Sequence, residues 1–371
     1  MHINDHTSTI EACRFCFMCR HVCTVGIVSG RESDTPRGRG LILSKIQKGY
    51  IAYDEDLVET VYRCCLCGMC ETWCKAGCTP PTAALAARAD IVAKGMAPER
   101  VRRIRENLVG TGNPFGLPPR DRFKAIAGGN GLPERADVLY YVGCDAAYRQ
   151  PEVAGAFIKI LRAAGIEFSL LADERSTGKA LSILGYRDDA RAAAESLVKK
   201  IRASACKVLV TTCPSSYDAF KSDYPAMGLD LSGIEILHAS QYLDRLLSEK
   251  RIAPRRHLAA GATLLDGTYL GRHHGIFEEP RRVLATVLGS EHSEMIWSRE
   301  MAHAAGEAGG VFQLLHPELS LGLAARVLDQ AAQAGASVLA VTCPATKAAL
   351  LAADRDGMQV RDIVELVADG L

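Results

Sequence analysis

Cysteine is where this sequence concentrates its chemistry. Of its 14 cysteines, ten fall before residue 79, and eight of those ten form two runs of one spacing. Cys13, Cys16, Cys19 and Cys23 read C-x2-C-x2-C-x3-C, and Cys64, Cys67, Cys70 and Cys74 repeat it. Three thiolates two residues apart can wrap one face of a [4Fe–4S] cubane, while the fourth, offset by three, points toward a neighbouring cubane. Two such runs therefore complete each other. Cys74 joins Cys13, Cys16 and Cys19 on one cluster, and Cys23 joins Cys64, Cys67 and Cys70 on the other. Zinc is the alternative, although a tetrahedral zinc site built from paired C-x2-C knuckles has no use for a third cysteine at the same interval.

Thr24 and Lys75 stand where bacterial ferredoxin runs carry proline. That proline shapes the exit turn and ligates nothing. Cys65 and Cys78 are left over; they read as small buried thiols beside the clusters, with substitution for Cys64 and Cys74 as the other reading. His21, inside the first run, reads either as a hydrogen-bond donor to a cluster sulfur or as a solvated loop residue.

The rest of the composition is that of an ordinary globular chain. At 371 residues, with 48% hydrophobic and 23% charged residues, it has room for two or three domains with real cores. Lys and Arg number 44 against 43 Asp and Glu, a net charge of +1, so no overall field favours nucleic acid or an anionic membrane. The chain holds no apolar run long enough for a membrane span, and residues 1–10 are polar, without a signal-peptide core. The expectation is a cytoplasmic protein that meets a membrane only through a partner. A reducing cytoplasm also favours cysteines as metal ligands over disulfides.

The elements that must hold the thiols come next. Apolar residues at helical intervals over 41–48 and 56–62, and an Ala-rich stretch over 81–94 ending at Gly95, predict a small helical domain. Residues 97–124 carry Arg100, Arg102, Arg103, Arg105, Arg120, Arg122 and Lys124, read as a solvated face or as a docking surface for an acidic partner. Residues 110–119 and 128–133 are turn-rich connectors. Beyond residue 136 short apolar runs at 137–142, 166–171, 207–212 and 234–237 alternate with helical patterns, predicting α/β structure with a largely parallel sheet. The pattern then repeats: Cys213 and Cys343, 130 residues apart, each end a β-branched strand and precede proline. The two halves also close alike, residue 236 onward set against residue 359 onward.

On these motifs, with DTPRGR at 34–39, GNPFG at 112–116 and LGRHHGIFEEPR at 270–281, the chain resembles a family of iron–sulfur oxidoreductase subunits. These join a dicluster ferredoxin to two cysteine-rich CCG domains, as in heterodisulfide reductase, anaerobic glycerol-3-phosphate dehydrogenase and glycolate oxidase. The resemblance implies an α+β multidomain chain: an N-terminal α-helical dicluster ferredoxin domain followed by two pseudo-symmetric α/β CCG-like domains. The expected map is 1–110 helical, 111–135 linker, 136–255 first α/β domain and 256–371 second.

In some members the CCG cysteines bind a non-cubane cluster for disulfide chemistry. Here the early cysteine is kept as Cys144 but replaced by Thr268 in the second unit. The Cys-Cys-Gly turns become STG at 176–178 and AAG at 304–306, and the second cysteines of the Cys-Pro motifs become Ser216 and Thr346. The implied reading is that a five-thiolate site is lost. A weaker reading keeps a third site at Cys144, Cys213 and Cys343 with a fourth group such as His273 or His274. His238 and His257 read as structural.

The expected function is electron transfer through two [4Fe–4S] clusters, from a flavoprotein dehydrogenase subunit to a downstream carrier or quinone reductase. The alternatives are a catalytic reductase with a substrate or third metal site between the α/β units, and a non-redox scaffold or sensor. The sequence carries no glycine-rich dinucleotide fingerprint after a strand.

Overall fold

The computed structural model describes residues 1–126, 128, 131–254, 261–353 and 357–371. The N-terminal part is helical. Thr35 starts the helix Pro36–Gln47, its hydroxyl accepting the Gly38 N–H at 3.1 Å with Pro36 in the first turn. Asp54 starts Glu55–Tyr62 by accepting the Leu57 N–H at 2.8 Å. Pro80–Ala93 buries Ala83, Ala84, Ala86, Ala87 and Ala89. Side chains this small let neighbouring helices approach its axis closely. The core so formed, including Ile10, Leu43, Val61, Tyr62, Ile91 and Val101, is completed by Leu181, Ile183 and Leu184 from the α/β region. The helical part and the α/β region therefore share a core.

Two parallel sheets make up the remainder. The first comprises β1 (Val138–Tyr141), β2 (Phe168–Ser169), β3 (Val208–Thr211) and β4 (Glu235–His238), in the order β2-β1-β3-β4. The second comprises β5 (Ala262–Leu264), β6 (Val338–Val341) and β7 (Gln359–Asp362), in that order. A single parallel bridge from Thr263 to Ser293 stands where β2 pairs in the first sheet. All four residues of β1 and of β6 are buried, as expected of parallel strands covered on both faces. Helices Pro151–Ala163, Ala239–Ser248, Glu278–Leu288 and Ile363–Gly370 form a common layer between the sheets, with Phe157, Leu243, Val283, Leu284, Val364 and Val367 in one cluster.

Both sheets end on the same device. His238 Nδ1 accepts the Ser240 N–H at 3.1 Å, and Gln241 accepts the His238 N–H at 3.1 Å. Asp362 accepts the Val364 N–H at 3.0 Å, and Glu365 accepts the Asp362 N–H at 2.8 Å. His238 thus corresponds to Asp362, so setting residue 236 against 359 is one residue out of register. The apolar pattern cannot detect that slip, because the polar cap fixes the phase.

The connector after residue 110 is packed rather than loose. Helix Glu99–Thr111 takes up the first two residues of the 110–119 connector. The fully buried Asn113 ties its turn, accepting the N–H groups of Phe115 and Leu117, each at 3.1 Å, and donating to the Leu117 carbonyl at 2.7 Å. Of the second connector, residues 129 and 130 lie outside the described residues, as does His257.

Candidate metal centres

The DTPRGR segment builds the wall between the two cysteine runs. Gly38 is required there, since a Cβ would lie 2.1 Å from the Glu32 carbonyl oxygen. Its helix passes Cys13 so closely that a Cβ on Gly40 would lie 3.0 Å from the Cys13 Cβ. Cys23 receives the Gly26 N–H at 3.4 Å. Burial pushes the Cys23 thiol up to about 12, and the sulfurs that add to this are Cys67 and Cys64, from the other run. Burial likewise raises Cys70, and Cys67, Cys64, Cys23 and, last, Cys19 add to it. In the other set burial raises Cys13 to about 12 and Cys19 to about 11, and Cys74 is among the sulfurs acting on both. Sulfurs of one run thus act on buried thiols of the other. One small cavity is bordered by Cys13 from one set and by Cys64 and Cys70 from the other.

Cations gather around the second set. Arg39 is 6% exposed; its Nε donates to the Thr60 carbonyl at 3.1 Å, while its Nη2 has no partner. Arg88, 1% exposed, donates to the carbonyls of Cys64 at 2.5 Å, Ile183 at 2.8 Å and Tyr62 at 3.1 Å. Arg272 reaches from the second α/β unit to the Cys67 carbonyl at 2.5 Å. Buried thiols such as Cys23 and Cys70, both raised by burial, ionise readily only where a cationic group offsets the charge. An iron–sulfur core is such a group, and the buried, unpartnered Nη2 of Arg39 suits the net negative charge that four thiolates leave on it. The residues present therefore fit cubane clusters.

Cys65 and Cys78 are buried, as small thiols beside the two sets. Cys65 shares the Thr24 hydroxyl with Cys67. The hydrogen bond from Cys65 is the largest influence lowering the Cys67 thiol to about 5, with Arg272 adding to it. His21 is exposed and lies edge-on to Trp73 at 5.2 Å.

The third candidate site does not assemble as a ligand set. Cys213 and Cys343 occupy matching places, each capping a proline-led helix, Pro214–Asp218 and Pro344–Ala352. Cys144 turns elsewhere. Its sulfur lies 3.8 Å from both terminal nitrogens of Arg122 and 3.8 Å from the Gly112 carbonyl oxygen. His274 donates instead toward Asp218 at 2.9 Å, and His273 lies 3.6 Å from the same carboxylate. Burial opposes ionisation of Asp218, yet these histidines and Lys179 hold it well below the usual carboxylate range. Among the described residues, no three His, Cys, Asp or Glu side chains gather as they would around a single metal ion.

Arg122 is the residue most misjudged by counting charge. It belongs to the basic stretch, yet its side chain is 3% exposed and donates to Glu174 through Nε at 3.0 Å and Nη2 at 2.5 Å. Glu174 in turn accepts the N–H groups of Val142 at 2.8 Å and Gly143 at 3.0 Å, just before Cys144. Arg100 and Arg105 are also committed, to Glu59 and Asp189. Arg102 and Arg103 remain exposed. Arg39 was legible only as part of its motif, and no periodicity pointed to Arg88 or Glu174.

A cysteine-rich domain model, CCG, matches residues 138–220. The chain is 32% identical over 327 residues to a subunit of the dihydromethanophenazine:CoB–CoM heterodisulfide reductase of Methanosarcina barkeri, covering 85% of this chain and 79% of that protein. It is 26% identical to the "probable iron-sulfur-binding oxidoreductase FadF" of Bacillus subtilis, over 84% of this chain and 47% of that one. It is 29% identical to the EtfAB:quinone oxidoreductase of Syntrophomonas wolfei, over 49% of this chain and 26% of that one. Among the described residues no helix is long and apolar enough to cross a membrane. On a likeness that covers 85% of its length, the chain belongs to the family of iron–sulfur oxidoreductase subunits that carry CCG cysteine-rich domains.

Proposed function

We propose that this chain is the electron-transfer subunit of a multi-subunit oxidoreductase, holding two [4Fe–4S] clusters. Cys13, Cys16, Cys19 and Cys74 would hold one, and Cys64, Cys67, Cys70 and Cys23 the other. What supports the reading is that Cys64 and Cys67, from the second run, act on the buried Cys23 thiol of the first, and Cys23 acts on Cys70. Cubanes ligated by cysteine are one-electron centres, suited to dividing a flavin's electron pair into single steps. The chain's own residues isolate the second centre from water and surround it with Arg39, Arg88 and Arg272. Electrons would arrive from a flavin-dependent dehydrogenase subunit and leave to a carrier or quinone reductase. The catalytic alternative is not adopted, because Arg122 takes up the space beside Cys144 that a third centre would need. Anaerobic iron and sulfide analysis, with low-temperature EPR of the reduced chain, tests the reading. About eight iron per chain is expected, with no turnover of small substrates until a flavoprotein is bound. Four iron, or zinc in their place, would overturn it.

A further inference from the structure

The two thiol sets differ in what lies outside them. Cys70 of the second set is 8% exposed, and Arg272 closes over the neighbouring Cys67 from the α/β side. The first set opens outward: Cys16 is exposed, and the loop bearing it presents Phe15 at 66%, Phe17 at 58% and Met18 at 48% exposure. Three large apolar side chains standing together in water mark a contact surface, and aromatic, Met and Arg side chains are those that protein interfaces favour. Two of these rings already carry cations, Arg14 at 4.2 Å from Phe15 and Arg37 at 4.3 Å from Phe17. A groove beside Phe17 continues past Arg20, His21 and Arg31.

The charge of this rim selects its occupant. Four guanidinium groups, of Arg14, Arg20, Arg31 and Arg37, meet two carboxylates. Glu11 pairs with Arg14 at 2.6 Å, and Glu32 pairs with both Arg20 at 2.7 Å and Arg37 at 3.0 Å. A second copy of the chain would bring like charge against like. We propose that the loop around Cys16 docks a one-electron carrier protein whose cofactor edge is framed by carboxylates. This rests on the electron-transfer reading and names the face through which it operates. One electron passes between the first centre and the carrier, one side oxidised as the other is reduced, and no bond or proton need move.

The test uses the full chain with both clusters loaded anaerobically, mixed by stopped flow with an acidic [2Fe–2S] ferredoxin and, separately, with a small uncharged quinone. Arg20→Glu combined with Arg31→Glu should slow exchange with the ferredoxin by about tenfold at low salt. The difference should close as salt is raised, while EPR spectra and the quinone rate stay unchanged. Phe15→Ser, which leaves every charge of the rim in place, should also slow ferredoxin exchange. Unchanged ferredoxin rates beside an active quinone reaction would overturn the docking face alone. So would slowing by Arg102→Glu with Arg103→Glu in its place, or binding to anionic vesicles that Phe15→Ser abolishes. A loaded chain that exchanges electrons with neither acceptor would instead overturn the reading beneath it.

Discussion

Cysteine reaches the ends of loops in two parts of this molecule, and the two parts treat the buried charge around it differently. In the helical part buried thiols act on one another across the two runs, and Arg39 keeps a buried Nη2 with no partner. In the α/β part Cys144 faces Arg122, and Arg122 is answered by Glu174, which is answered by two backbone N–H groups. The first arrangement is incomplete by itself and asks for a group of opposite charge; the second is closed. Counting cysteines distinguishes the two parts less well than asking whether their buried charges already meet.

The largest effect should come from the thiols. Cys74→Ser should remove about four of about eight iron atoms and disturb the same EPR signal as Cys16→Ser, although Cys74 lies in the other run. A Cys74→Ser spectrum matching only that of Cys64→Ser would break the exchange of fourth ligands. Cys213→Ser and Cys343→Ser should leave iron content and both signals untouched. Iron lost from either variant would show that the α/β part is not closed.

Next in size is the closed arrangement itself. Arg122→Met strands the Glu174 carboxylate, whose side chain is fully buried, and removal of one partner from such a pair costs about 3–5 kcal/mol. Arg102→Met, on an exposed face, should cost under about 0.5 kcal/mol. Hydrogen exchange of the amides of Val142 and Gly143 would report it locally, and protection equal in the two variants would mean that the pair holds nothing together.

Much of this was legible beforehand, for identifiable reasons. Two cysteine runs of one spacing point to iron–sulfur binding, and short apolar runs followed by Cys-Pro mark the strands of a parallel sheet. What stayed hidden depends on distance in space. Arg122 and Arg105 look alike in a basic stretch, yet one is buried against Glu174, 52 residues further on, and the other pairs at a half-exposed surface with Asp189. His273 and His274 looked like spare ligands because nothing local reveals that Asp218 takes them both. Nothing in the spacing between Cys13 and Cys19 tells that Phe15 and Phe17 stand exposed.

The smallest effect tests the rule where the α/β part breaks it. Asp362 is 1% exposed and its Oδ2 has no partner, so it is a buried need in the part described as closed. Burial raises its carboxyl to about 8, against weaker opposition from the Val364 N–H and Lys347, so a proton supplies what Arg122 supplies to Glu174. Its counterpart His238 goes the other way, burial lowering it to about 4. The signs then differ. The unfolded chain releases the Asp362 proton near the ordinary carboxylate value, whereas the folded chain keeps it to about 8, so stability falls as pH rises between those limits. For His238 the unfolded chain takes up a proton that the folded chain refuses, so stability falls as pH drops from about 6.5 toward 4. Above the ordinary histidine range only the Asp362 slope remains. Asp362→Asn, which keeps the capping oxygen and stands in for the neutral acid, should therefore gain on the parent chain between about pH 6.5 and 8, by up to about 1.4 kcal/mol per pH unit. Thermal denaturation of both proteins across that range measures the gain. A constant difference would mean that Asp362 is ionised in the fold, and its unpartnered oxygen would then be an unanswered charge of the kind that marks the thiol sets.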